Sequence, residues 1–144
     1  MKTIKILAIA ILLTMGMSCE NLLNDLTDEQ IALELEGQWT VDESSSIFKA
    51  AMQSQTVFIS VSESDPTQIL IENFYGLGNN SVASARVNGY TLQLLNNQSL
   101  DNDFTLVQGS GTINKNLNVI TWNYSIDDGS GEVDQVQATY TILD

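Results

Sequence analysis

Two features of this sequence have residue types that do chemistry: an acidic turn, Asp127-Asp128-Gly129-Ser130-Gly131-Glu132, with Asp134 close behind, and one cysteine, Cys19. Carboxylates around a flexible turn are hard oxygen ligands, so Asp127, Asp128 and Glu132 form a candidate low-affinity calcium site, though not with EF-hand spacing. An acidic glycine hairpin also stands without any metal. Paired carboxylates hydrolyse glycosidic bonds when one has a raised pKa and the other lies a fixed distance away in a cleft. Most acids here read as turn or outward strand positions. Glu72, inside the apolar run Ile69–Phe74, alternates to the side opposite Ile69 and Ile71. With no His and one Cys, the chain has no Ser-His or Cys-His pair and no His- or Cys-rich metal site. A carboxylate-based hydrolase is therefore the third reading, behind two non-enzymatic ones. No catalytic residue, cofactor or metal is assigned.

Cys19 explains itself best as an address. Lys2 and Lys5 precede an apolar run, Ile6–Leu13, that is too short to span a bilayer, and small Gly16 and Ser18 precede the cysteine. This arrangement resembles the lipobox of bacterial lipoproteins, with Gly16-Met17-Ser18-Cys19 in place of the usual pattern and no Leu three residues before the Cys. The resemblance implies cleavage before Cys19 and its diacylation. Residues 1–18 are then the signal peptide and 19–26 the lipidated Cys and tether, with membrane attachment through Cys19. Acidic Glu20 is similar to the surface-export signals of some Bacteroidetes lipoproteins. Loss of Lys2 and Lys5 leaves three cations, Lys49, Arg86 and Lys115, against 18 acids, a net charge of −15. Such a surface repels nucleic acid and anionic headgroups, so no nucleic-acid partner is expected.

The elements that must position any site follow in residues 27–144. Thr27 and Gln30 form a capping-box signal, with Leu26 and Ile31 spaced as a staple, for a short helix ending by Gly37. The period then turns to alternation, with eight strand-like runs near 37–43, 54–62, 67–75, 81–87, 90–95, 104–113, 118–126 and 133–143. Asn88-Gly89 predicts a type I′ hairpin that sets Val87 opposite Tyr90, Ala85 opposite Leu92, Ala83 opposite Leu94 and Arg86 opposite Thr91. Ile120, Trp122, Tyr124 and Ile126 share one face of the seventh run, and Val136, Ala138, Tyr140 and Ile142 one face of the eighth. Asn96–Asp103 reads as a polar loop in solvent. The pattern predicts an all-β fold, an eight-stranded antiparallel up-and-down barrel, with a two-sheet sandwich as the alternative.

Gly37-Gln38-Trp39, after a short helical turn and at the head of an eight-stranded meander, resembles the Gly-x-Trp signature of lipocalin-like, or calycin-like, barrels. Asn73-Phe74-Tyr75-Gly76-Leu77-Gly78, Val87-Asn88-Gly89, Gly109-Ser110-Gly111-Thr112-Ile113 and Trp122–Gly131 are similar to small Bacteroidetes lipoproteins of that fold. The resemblance implies that Trp39 plugs the closed end of the barrel. It also implies that the linker between the first two strands, with Ile47, Phe48 and Met52, lids the open end. A loop tucked against the rim, or a short helix, is the plainer alternative. No Arg follows Arg86 to stack on the Trp, as one does in true lipocalins, so the looser lipocalin-like class is the one implied.

The inward set combines large residues (Trp39, Val57, Ile59, Leu92, Trp122, Tyr124, Tyr140) with small ones (Ala83, Ala85, Ala138). Small inward residues either open a cavity for an apolar ligand or make room for facing aromatics. Two functions follow. One is a lipid-anchored protein of the bacterial envelope, at the outer membrane or cell surface, that binds a small apolar or amphipathic ligand. The other is a filled-core structural or interaction module that serves protein partners in a surface complex.

Overall fold

The computed structural model describes residues 26–47 and 54–144. Helix α1 (Asp28–Glu34) is followed by β1 (Gly37–Ser45), β2 (Gln55–Val61), β3 (Gln68–Glu72), β4 (Val82–Asn88), β5 (Thr91–Leu94), β6 (Gln98–Ser99), β7 (Thr105–Ile113), β8 (Val119–Asp127) and β9 (Val133–Ile142). Strands β1 to β5 pair antiparallel in chain order, as do β6 to β9; β1 also pairs with β9, and β5 pairs with β7, which closes the sheet. The result is the expected eight-stranded up-and-down barrel. β6 is a short extra strand on β7, inside the stretch expected to be a solvent loop. There Gln98 bonds the backbone of Ser84, and Leu100 is buried.

Alternation decides which side of each strand is dry. Trp39 and Val41 on β1, Val57 and Ile59 on β2, and Ala83, Ala85 and Val87 on β4 point inward, as do Ile120, Trp122, Tyr124 and Ile126 on β8. One register expectation fails. Ala85 lies opposite Leu94 and Val87 opposite Leu92, with Asn88 opposite Thr91, two residues away from the expected pairing. The turn residues are Gly89 and Tyr90, and only Gly89 has positive φ (57°), which suits a turn with glycine first rather than type I′. A slip of two preserves the side each residue faces, so the inward set is unchanged.

The barrel has unlike ends. At one end α1 lies across the opening, with Ile31, Ala32 and Leu35 buried beneath it. The capping box is present: Thr27 accepts from the Gln30 amide, and Gln30 accepts from the Thr27 amide. Asp28 accepts from the Gly89 amide (2.7 Å) and Glu36 from the Val61 amide (3.0 Å), which fastens the helix to two strand ends. Trp39 Nε1 donates to the Leu35 carbonyl at 2.9 Å. No described helix is long and apolar enough to cross a membrane.

Between the ends the barrel is packed with aromatic rings. Trp122 and Tyr140 lie 5.8 Å apart, and Phe74 and Tyr124 4.9 Å apart. Room for them comes from Gly109 and Gly111 on β7 as well as from the alanines. A Cβ on Gly111 would stand 2.7 Å from Trp122, and one on Gly109 2.4 Å from Cβ of Tyr124. Gly111→Ala is therefore expected to destabilise the barrel by about 1 to 2 kcal/mol through overpacking, read as a lower urea midpoint at unchanged m-value.

Candidate functional site

The end opposite α1 gathers the β1–β2, β3–β4, β5–β7 and β8–β9 connections, and the side chains that meet there come from residues chosen by strand parity. Continuing inward from Trp39 and Val41, β1 presents Glu43 and Ser45; continuing from Tyr140, Ala138 and Val136, β9 presents Asp134. Both acids are 4% exposed. The expectation that acids lie on turns and outward positions fails for this pair: Glu43 is the inward residue before Ser45 near the end of β1, and Asp134 is the first inward residue of β9.

Polar partners make the burial tolerable. Asp134 accepts from both Ser45 and Ser46 hydroxyls, from the Ile47 amide (3.2 Å) and from the Tyr75 hydroxyl (3.1 Å). Burial alone would raise its pKa, but these four donors outweigh that and hold the carboxyl below its ordinary range, so it is ionised at neutral pH. Glu43 accepts from the Tyr124 hydroxyl at 2.6 Å and from Gln55 Nε2 at 2.9 Å. Here burial dominates the two hydrogen bonds, and the pKa is pushed up to about 6. Burial, followed by the nearby carboxylates, pushes the Tyr75 and Tyr124 hydroxyls up, which keeps both as donors.

Tyr75 reaches this cluster from an unusual backbone. The run expected as strand to residue 75 ends at Glu72, and a 3-10 turn follows over Phe74–Gly76. Asn73 (φ 61°) and Tyr75 (φ 57°) are left-handed, a costly conformation for a bulky side chain and one that tends to persist at functional sites. Asn73 holds the turn, donating to the Thr56 carbonyl and accepting from the Gly78 amide. The strained residue thus places its ring at the mouth, 5.9 Å from Phe104, with its hydroxyl on Asp134.

A hollow of about 220 Å³ opens among these groups, walled by Ile47, Tyr75, Leu77, Phe104 and Ile126, and bounded by Asp128, Glu132 and Asp134. No protein-family model matches the chain, and no curated protein matches it. The site therefore rests on its own geometry.

That geometry brings together some of the residues singled out in the sequence and not others. Trp39, Val57, Ile59, Ala83, Ala85, Leu92, Trp122, Tyr124, Ala138 and Tyr140 are all buried in the barrel. Among them Tyr124 touches the acidic cluster, through Glu43. Trp122 Nε1 and the Tyr140 hydroxyl are buried without a hydrogen-bond partner among the described residues, an arrangement that costs about 1–3 kcal/mol per group. Ile47 stands at the mouth, while Phe48, Met52 and Cys19 lie outside the described residues. Asp127 and Asp128 accept from the amides of Gly129 and Ser130 in their own turn, and no three acidic side chains among the described residues gather as a metal site. Glu43 and Tyr75 were missed, and Asp134, noted beside the acidic turn, was not read as an inward, buried residue.

Proposed function

We propose that this chain is a non-enzymatic, lipid-anchored protein of the bacterial envelope, of the lipocalin-like lipoprotein type, whose barrel binds a small amphipathic molecule at its open end. The observation that carries the binding part is the hollow at the mouth: apolar walls, one end of the barrel plugged by α1, and a buried, ionised carboxylate at its edge. Convergent polar groups in an apolar concavity are the usual anatomy of a ligand site. The anchoring part rests on the leader and Cys19. The non-enzymatic part is supported by the use of both inward acids: Glu43 is absent from the wall of the hollow, and the oxygens of Asp134 are engaged by internal donors. The rival, an interaction module without a ligand, is favoured by the aromatic rings that fill the barrel between its ends.

The protein recovered from bacterial membranes is expected to carry a diacylated Cys19 at its N-terminus by intact mass, and Cys19→Ala to move it to the soluble fraction. Native mass spectrometry followed by solvent extraction is expected to release one small molecule per chain. A ligand-free mass that stays unchanged on addition of amphipathic compounds would transfer the weight to the interaction module, and an uncleaved, unlipidated chain would remove the anchor.

A further inference from the structure

We infer that the mouth takes an organic cation, a protonated amine with an apolar body of roughly ten non-hydrogen atoms. The inference rests on the reading of the mouth as a ligand site and assigns the ligand's class. Size comes from the hollow: about 220 Å³, filled at the ~0.75 density of protein interiors, holds a molecule of roughly that many atoms. Sign comes from the wall, whose charged side chains are all carboxylates: Asp134 buried, Asp128 and Glu132 on the exposed rim.

Neutral hydroxyls and an amide stabilise the Asp134 carboxylate but leave its charge in place. Among the described residues, which do not include Lys49, no cation answers it. Arg86 lies on β4 toward the plugged end, 3.6 Å from Asp65, and Lys115 lies in the β7–β8 turn at that same end. With its four acceptor positions occupied, Asp134 acts on a ligand through its field, and the direct bonds to an ammonium fall to Asp128 and Glu132. The ring faces of Tyr75 and Phe104, tilted 47° to one another, add the attraction of aromatic quadrupoles for a cation. Apolar anions such as fatty acids meet the same field with the wrong sign. A divalent metal is the poorer fit, since no three acidic side chains gather as a metal site among the described residues and half the wall is hydrocarbon.

Three probes of nearly equal size separate the terms: 2-phenylethylamine, 2-phenylethanol and phenylacetate, titrated into the full chain in a non-ionic detergent and followed by amide shifts of Leu77 and Ile126. The amine is expected to bind about tenfold or more tighter than the alcohol, and phenylacetate most weakly. Raising the salt concentration is expected to weaken the amine and leave the alcohol unchanged. Asp128→Asn with Glu132→Gln, both on exposed side chains, is expected to reduce the preference to within about threefold. An alcohol that binds as well as the amine would overturn the cation inference and leave the ligand reading standing. No shift with any probe would overturn both.

Discussion

Replacing Trp39 by alanine is expected to destabilise the protein by roughly 4 kcal/mol, the largest effect of any single substitution considered for this chain. Trp39 is fully buried at the head of β1, so its loss removes a large apolar side chain and leaves a cavity. It also removes the 2.9 Å bond from Nε1 to the Leu35 carbonyl, which ties the last turn of α1 to the barrel wall. Trp39→Phe keeps most of the volume and loses the bond, so it is expected to cost about 1 to 2 kcal/mol. For a domain whose total stability is about 5–15 kcal/mol, the alanine variant gives up a large fraction of the whole. Urea unfolding followed by circular dichroism measures both. An unchanged midpoint for Trp39→Ala would mean that α1 and Trp39 do not close this end of the barrel. A cost for Trp39→Phe equal to that for alanine would mean that the hydrogen bond, not the filled volume, is what matters.

That Trp39 faces inward was legible in the sequence, because alternation sets the face of a strand residue whatever its exact partner. The same property rescued the fourth and fifth strands: Asn88-Gly89 gave the right hairpin with a register wrong by two, yet Ala83, Ala85, Leu92 and Leu94 all face the core. Alternation also held the evidence for the site, since Glu43 follows Trp39 and Val41 at the same parity and Asp134 precedes Val136, Ala138 and Tyr140. Polarity argued against reading it so. A carboxylate is costly to bury unless partnered, and its partners here come from distant strands and turns: Tyr124 and Gln55 for Glu43, and Ser45, Ser46 and Tyr75 for Asp134. Tyr75 was harder still. Its left-handed backbone breaks the strand pattern that its neighbours follow, and only the Gly76 and Gly78 beside it marked a turn. The glycines of β7 were read as part of a family pattern, and their packing role became visible only against Trp122 and Tyr124.

Glu43 gives the protein a pH dependence with a definite sign. Its pKa in the folded state is about 6 against an ordinary value of 4.5, raised mainly by burial. In that window the folded protein binds more protons than the unfolded chain, so stability falls as pH rises. The contribution is fully present below about pH 4.5 and lost above about pH 6; a shift of this size corresponds to about 2 kcal/mol. Asp134 works in the opposite direction and in another window: its depressed pKa adds stability above 3.8 that is lost as pH falls through its folded value. Glu43→Gln separates the two. The glutamine amide oxygen can still accept from Tyr124, and Gln55 can turn its own amide to meet the new donor. The variant is expected to be more stable than the parent by about 2 kcal/mol at pH 7.5 and equal to it at pH 4.5, measured as urea midpoints across that range. General repulsion among the other acids cancels in this comparison, because both proteins carry it. A parallel pair of profiles would mean that the Glu43 carboxyl is ionised at no cost inside the barrel, and the partners at Tyr124 and Gln55 would then have to supply far more than hydrogen bonds of ordinary strength.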